Sequence, residues 1–262
     1  MSLVKLIRYS GGRLAGQRIR AAFVGLLPFA AELLFRFGEA AVFGFLLYFG
    51  AVRPSELFSG NTSALLAASA ACIFLRRFTS APLMLASADW FTQVCQCRLS
   101  PSFTLNGRML GRSLAASAWS CILGAVMLLP VLFFGGSAVR LVSQDGSGFQ
   151  VFMAFHAATL TAASVYFLLK VRLSLTAVPF MLVQFPQISP LKTVLKAVRF
   201  TNGRRGEILG VMLVCIVPAL TVIGIPAAVM TYFSAMSTLT EIAVCEDDYR
   251  THFMGSFRGT PF

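Results

Sequence analysis

Glu32, Arg36 and Glu39 stand at i, i+4 and i+7 of a long apolar run. That spacing puts all three on one face of a helix. Charge inside hydrocarbon is costly, so an ionisable side chain within a membrane segment is a functional candidate by default. Three alternating charges on one face suit a proton or substrate relay turned toward a bundle interior. They equally suit a structural role, because acid and base one turn apart neutralise each other. Near the inner boundary they can also snorkel or pair with another helix. His156 is the histidine that falls within an apolar run; His252 lies in the tail. No acid stands near His156 in sequence, which favours a hydrogen bond to a neighbouring helix.

A second set is basic. Lys192, Lys196 and Arg199 follow Ser189-Pro190, and Arg204 and Arg205 come after Asn202-Gly203. These five suit contact with anionic phospholipid headgroups, at about 1 kcal/mol per residue. Glu207 and Glu241 sit near the ends of apolar runs and demand no function. Of the six cysteines, Cys95 and Cys97 are separated by one residue, with no second pair to complete a zinc site. Reduced thiols are expected on the cytoplasmic side. The chain has no P-loop, GxSxG, HExxH or CxxC. With two histidines and ten acids, the expectation is no enzyme, no metal and no cofactor.

The elements that position these residues follow from composition. The chain is 57% hydrophobic and 12% charged, with 25 phenylalanines. A soluble domain carries about twice that charge. A bilayer core of about 30 Å needs roughly 20 apolar residues per helix. Apolar runs lie at about 27–52, 61–76, 113–134, 150–170 and 207–244. The last, as one helix, would be about 57 Å long. It contains Pro218, Gly224 and Pro226. A reversal near Gly224-Ile225-Pro226 divides it into 207–223 and 225–244. The fold class is therefore all-α: a polytopic transmembrane bundle of six spans in one membrane domain.

The basic residues orient it. Cytoplasmic loops carry excess Lys and Arg. From the N-terminal segment through each successive loop to the tail, the chain carries 5, 1, 5, 1, 7, 0 and 2 of them. Only Arg36 falls outside the series. This alternation places both termini, with the second and fourth loops, in the cytoplasm of a bacterial inner membrane. It also accounts for the net charge of +12 without nucleic acid.

The inner loops read as interfacial helices. Residues 1–20 form a basic amphipathic segment, with Leu3, Leu6, Ile7, Leu14 and Ile19 toward lipid. Its acid-free composition also fits a mitochondrial transit peptide. Pro190 fits a first helical turn after Ser189, and Leu191, Val194, Leu195 and Val198 recur at helical spacing to about 202. A comparable segment at about 79–97 precedes Leu99-Ser100-Pro101. Residues 67–130 and 162–218 share this layout, which reads as a weak parallel duplication.

The second half resembles a known family. Tyr166, Lys170/Arg172, Ala177-Val178-Pro179-Phe180-Met181-Leu182 and Ser189-Pro190-Leu191-Lys192 carry the resemblance. Asn202-Gly203-Arg204-Arg205-Gly206-Glu207-Ile208-Leu209 and Gly224-Ile225-Pro226 continue it. These residues are similar to bacterial six-helix membrane proteins classed as a domain of unknown function. They are similar in layout to the membrane domain of some glycerophosphoryl diester phosphodiesterases. Arg199-Phe200-Thr201-Asn202-Gly203 departs from the serine and lysine-glycine usual there. The resemblance implies topology and supplies no active site.

Together these features predict a non-enzymatic membrane scaffold, or the membrane subunit of a larger assembly with a protein partner or a second copy. The competing expectation is a small transporter or permease component, its path lined by Glu32, Arg36, Glu39 and His156. An enzyme acting on lipid is disfavoured by the scarcity of polar residues.

Overall fold

The computed structural model describes residues 3–48, 63–98, 100–143 and 148–257. All their regular structure is helical. The helices are α1 (Leu3–Arg13), α2 (Arg18–Tyr48), α3 (Ser63–Cys95), α4 (Gly107–Val142) and α5 (Gly148–Leu175). They continue with α6 (Val178–Gln184), α7 (Pro190–Phe200), α8 (Arg205–Ala219), a 3-10 turn (Val222–Gly224) and α9 (Ile225–Phe257). The expected outer connection at 53–61 and the segment 144–147 lie outside the described residues.

By length and composition, four described stretches can cross a bilayer: Arg18–Val42, Gly107–Val142, Gly148–Gln184 and Val222–Glu246. This is a membrane-embedded helical protein. The other two expected spans do not reach that standard. α8 has 15 residues, about 22 Å. α3 is long, but beyond its apolar start it carries Arg76, Arg77, Thr79 and Ser80.

Two compact units form. One holds residues 1–114 and 211–242, the other 115–210 and 243–262. In the first, α2 and α3 run antiparallel. The Ser87 hydroxyl donates to the Val24 carbonyl at 2.8 Å, and Glu39 meets Arg76 farther along. α9 is enclosed on all sides from Tyr232 to Thr240. A helix can be buried all round when every face is apolar or small. Here Ala235, Ser234, Ser237 and Thr238 fill the faces that Phe233, Met236 and Leu239 leave. Phe233 stacks on Phe91 at 5.0 Å and meets the edge of Phe29 at 6.1 Å. Gly25 permits the close approach of α2, since a Cβ there would stand 2.6 Å from Val229 Cγ1.

The first unit also corrects the reading of residues 1–20. Leu6, Ser10 and Leu14 are buried in protein, while Ile19 is exposed. The apolar stripe of α1 packs on the fold, in part against α3, and does not simply lie on lipid. Residues 79–95, expected as a separate interfacial segment, are the second half of α3. Leu85, Ala86, Ser87, Ala88 and Phe91 are buried there.

In the second unit, α4 and α5 run antiparallel. Gly124 faces the Arg172 guanidinium, and Gly135 faces Thr161. α5 stops at Leu175, and the chain folds back as α6 and α7. Phe180, Met181, Val194, Ala197 and Ile208 form the core. α7 starts at Pro190 as the Ser-Pro signal predicts, although the Ser189 side chain makes no capping bond. Ser100-Pro101 behaves otherwise: residues 101–106 are not helical, and α4 begins at Gly107. The Gln93 side chain holds that loop, accepting from Ser102 N–H at 3.0 Å and donating to the Ser102 carbonyl at 3.4 Å. The two Ser-Pro segments therefore differ in structure.

Candidate functional site

Glu32, Arg36 and Glu39 do not act as one group. Arg36 Nη2 reaches Glu32 Oε1 at 3.4 Å along α2, with 61% and 43% of these side chains exposed. Glu39 turns to α3, where its Oε2 is 3.4 Å from Arg76 Nη1. This second pair is the better shielded one. Sequence reasoning missed Arg76 as the partner, having placed it in a loop. The signal was present: Arg76 directly follows an apolar run, and a basic residue at such a boundary needs a carboxylate or a headgroup.

His156 lies exposed on α5 in the second unit, its ring centroid 4.5 Å from that of Phe152. It makes no hydrogen bond among the described residues; its ring meets that of Phe152, one turn away on its own helix, at a tilt of 40°.

The basic set divides. Lys192 and Arg199 are exposed, with Leu195 between them on the same face of α7. Thr193, Val194 and Ala197 take the buried face. Lys196 Nζ lies 3.7 Å from the Phe185 ring centroid and 5.3 Å from that of Phe200. Arg204 stands 2.5 Å from Glu246 and 3.8 Å from Glu207. The Arg205 Nε donates to Ser174 Oγ at 3.2 Å. Arg204 and Arg205, expected to face headgroups, also make these bonds within the protein. The physical reason is proximity: the chain reversal after α7 brings Arg204 to the Glu207 and Glu246 carboxylates and Arg205 to the Ser174 hydroxyl.

A further polar cluster, unforeseen from sequence, joins α1, α3 and α9 in the first unit. Arg13 Nη1 is 3.3 Å from Glu241 Oε2. Its guanidinium also donates to the Cys95 carbonyl and to the Tyr9 hydroxyl. Burial alone would lower the Arg13 pKa, yet Tyr9 and Glu241 hold it above its ordinary value. Ser10 Oγ lies 3.5 Å from Ser234 Oγ. Cys95 Sγ lies 3.7 Å from Thr238 Oγ1. Burial pushes the Cys95 thiol up, the hydrogen bond with Thr238 notwithstanding. Burial thus disfavours the thiolate, which is the nucleophilic form. Ser237 Oγ is buried without a hydrogen-bond partner. The cluster can tie helices together; it presents no base beside a nucleophile.

Comparison with protein-family models, with curated proteins and with solved structures finds no match.

Proposed function

We propose that this chain is a non-enzymatic multi-pass protein of the bacterial cytoplasmic membrane, serving as a scaffold or as the membrane subunit of a larger assembly. Six apolar segments enter the bilayer, both termini are cytoplasmic, and the basic segments face the inner leaflet. Lys192 and Arg199, exposed on α7, are free to meet anionic headgroups there. This is also the topology of the six-helix family that the second half resembles.

One observation carries the reading. Three described ion pairs tie separate elements together: Arg13 to Glu241, Arg76 to Glu39, and Arg204 to Glu246. A proton or ion path needs groups that change partner or charge state. Groups that join helices support a rigid frame.

The chain reconstituted in liposomes is expected to move no protons beyond the rate of protein-free vesicles under an imposed potential. A flux that Glu39→Gln abolishes at unchanged folding would sink the scaffold and favour a transporter. Chemical crosslinking in native membranes is expected to capture a protein partner in fixed ratio.

A further inference from the structure

We infer that two copies of this chain associate within the membrane along the second half of α2, with Glu32 of each copy paired to Arg36 of the other. This rests on the reading above of the chain as part of an assembly, and it names a second copy of the chain as the partner there.

The pair lies in apolar surroundings. α2 holds the candidate span Arg18–Val42. Exposed apolar side chains run along the helix from Phe23 through Leu27, Leu34 and Phe37 to Tyr48, about 38 Å of helix. A hydrocarbon layer is about 30 Å thick. Wherever that layer falls along this belt, Glu32 and Arg36 are inside it. Arg36 Nη2 is 3.4 Å from Glu32 Oε1, yet both side chains stay open. Open charge against acyl chains is costly. Arg36 has a stem long enough to carry its guanidinium toward headgroups. Glu32 has no such reach and needs an opposite charge that stays beside it.

The face they occupy is covered lower down and open here. Ala21, Gly25 and Pro28 are buried on one side of α2. Glu32 and Arg36 stand on the same side, one and two turns farther along. Among the described residues, neither bonds to another helix. Leu33, Arg36, Ala40 and Gly44 are exposed at i, i+3, i+7 and i+11, the spacing of a single helix stripe. A Cβ at Gly44 would meet nothing within 4 Å. Small residues four apart let helices approach closely in lipid.

Charge complementarity selects the partner. Copies in one membrane share an orientation, so a two-fold axis along the membrane normal sets two α2 helices parallel, each residue level with its twin. Glu32 and Arg36 differ in level by about 6 Å, roughly one turn. Each carboxylate can therefore turn to the guanidinium of the other copy, and the surface is its own complement. Two ion pairs then form where acyl chains would otherwise lie. A partner of another sequence would have to supply both an acid and a base at matching depth. A second copy supplies them by symmetry.

The test is association of the full chain in phosphatidylcholine–phosphatidylglycerol vesicles. It is read by energy transfer between copies labelled at the amino terminus with donor or acceptor, as added lipid dilutes the protein. The unsubstituted chain should associate. Glu32→Arg and Arg36→Glu, each alone, set like charges face to face and should weaken association about tenfold or more. Mixed, one carrying donor and the other acceptor, they should recover to within about threefold of the unsubstituted chain. A pair acting only within its own helix cannot give recovery between separate chains. Single variants that associate undiminished, or a mixture that does not recover at native helix content, overturn the inference. Gly44→Leu serves if the charge variants do not fold. Its site is open in the single chain, so helix content should hold while association falls about tenfold; undiminished association overturns the inference. An unsubstituted chain that stays single at every dilution also overturns it, while capture of a different protein by crosslinking in native membranes would leave the assembly reading standing.

Discussion

Arg13 of the first helix stands 3.3 Å from Glu241 of the last, and the same guanidinium donates to the carbonyl that ends α3. The two side chains are 23% and 32% exposed, between a surface pair and a buried one. Glu241→Gln should therefore cost about 1–2 kcal/mol. Arg13→Gln should cost more, because the Cys95 carbonyl loses its donor too. Thermal unfolding of the singles and the double in detergent gives the coupling. Additive effects would show that the pair does not hold α1 in place.

Cys97, two residues past the end of α3, lies in the left-handed region, with φ 55°. Cys97 N–H donates to the Val94 carbonyl and Arg98 N–H to the Gln93 carbonyl, the pattern of a Schellman cap that glycine fills best. Cys97→Gly should raise stability by about 1 kcal/mol, and Cys97→Val should lower it. An unchanged melting temperature in both variants would contradict the strain argument.

Asp89 gives stability a pH dependence. Burial pushes its carboxyl above the ordinary range, and the Gln93 hydrogen bond and Arg98 only partly oppose this. The folded state then binds more protons than the unfolded one between the two pKa values. Stability is fully retained below the unfolded value and falls as pH rises through the folded one. Asp89→Asn should be more stable at neutral pH and should lose this pH dependence. The amide oxygen can still accept from Gln93, which donates at 2.8 Å.

Gly25→Ala should cost about 1–3 kcal/mol by overpacking. The new methyl would crowd Val229 Cγ1, and valine in a helix has little rotamer freedom to yield. Adding Val229→Ala should recover part of that loss. No recovery would mean that the helices meet differently.

Lys192 and Arg199 should carry the anionic-lipid contact of α7. Neutralising both to Gln should weaken phosphatidylglycerol binding by about 30-fold, from about 1 kcal/mol each. Arg204→Gln should leave lipid binding within about twofold, because Arg204 answers Glu246 and Glu207, and should instead lower stability. Lipid titration followed by native mass spectrometry separates the two.

Much of the local structure was legible. The reversal near Gly224 was predicted from a run too long for one span, and α8, the 3-10 turn and α9 divide there. Pro190 marked the start of α7. Ser100-Pro101, an identical dipeptide, did not start a helix, because Gln93 holds Ser102 in an extended loop. A dipeptide signal is local, and the side chain that overrides it comes from nine residues away.

Sequence by itself determined that this is a helical membrane protein, because apolar run length and the placement of basic residues respond to the bilayer, which is the same for every chain. It also singled out Glu39 and Arg204, but passed over Arg13, Arg76 and Glu241. Only the tertiary structure decided whom they meet. Glu39 pairs with Arg76, Arg204 with Glu246, and Arg13 with Glu241, residues 37, 42 and 228 positions apart. Helical periodicity reports neighbours within about one turn. Partners at those separations are set by how helices pack, and packing is decided by shape.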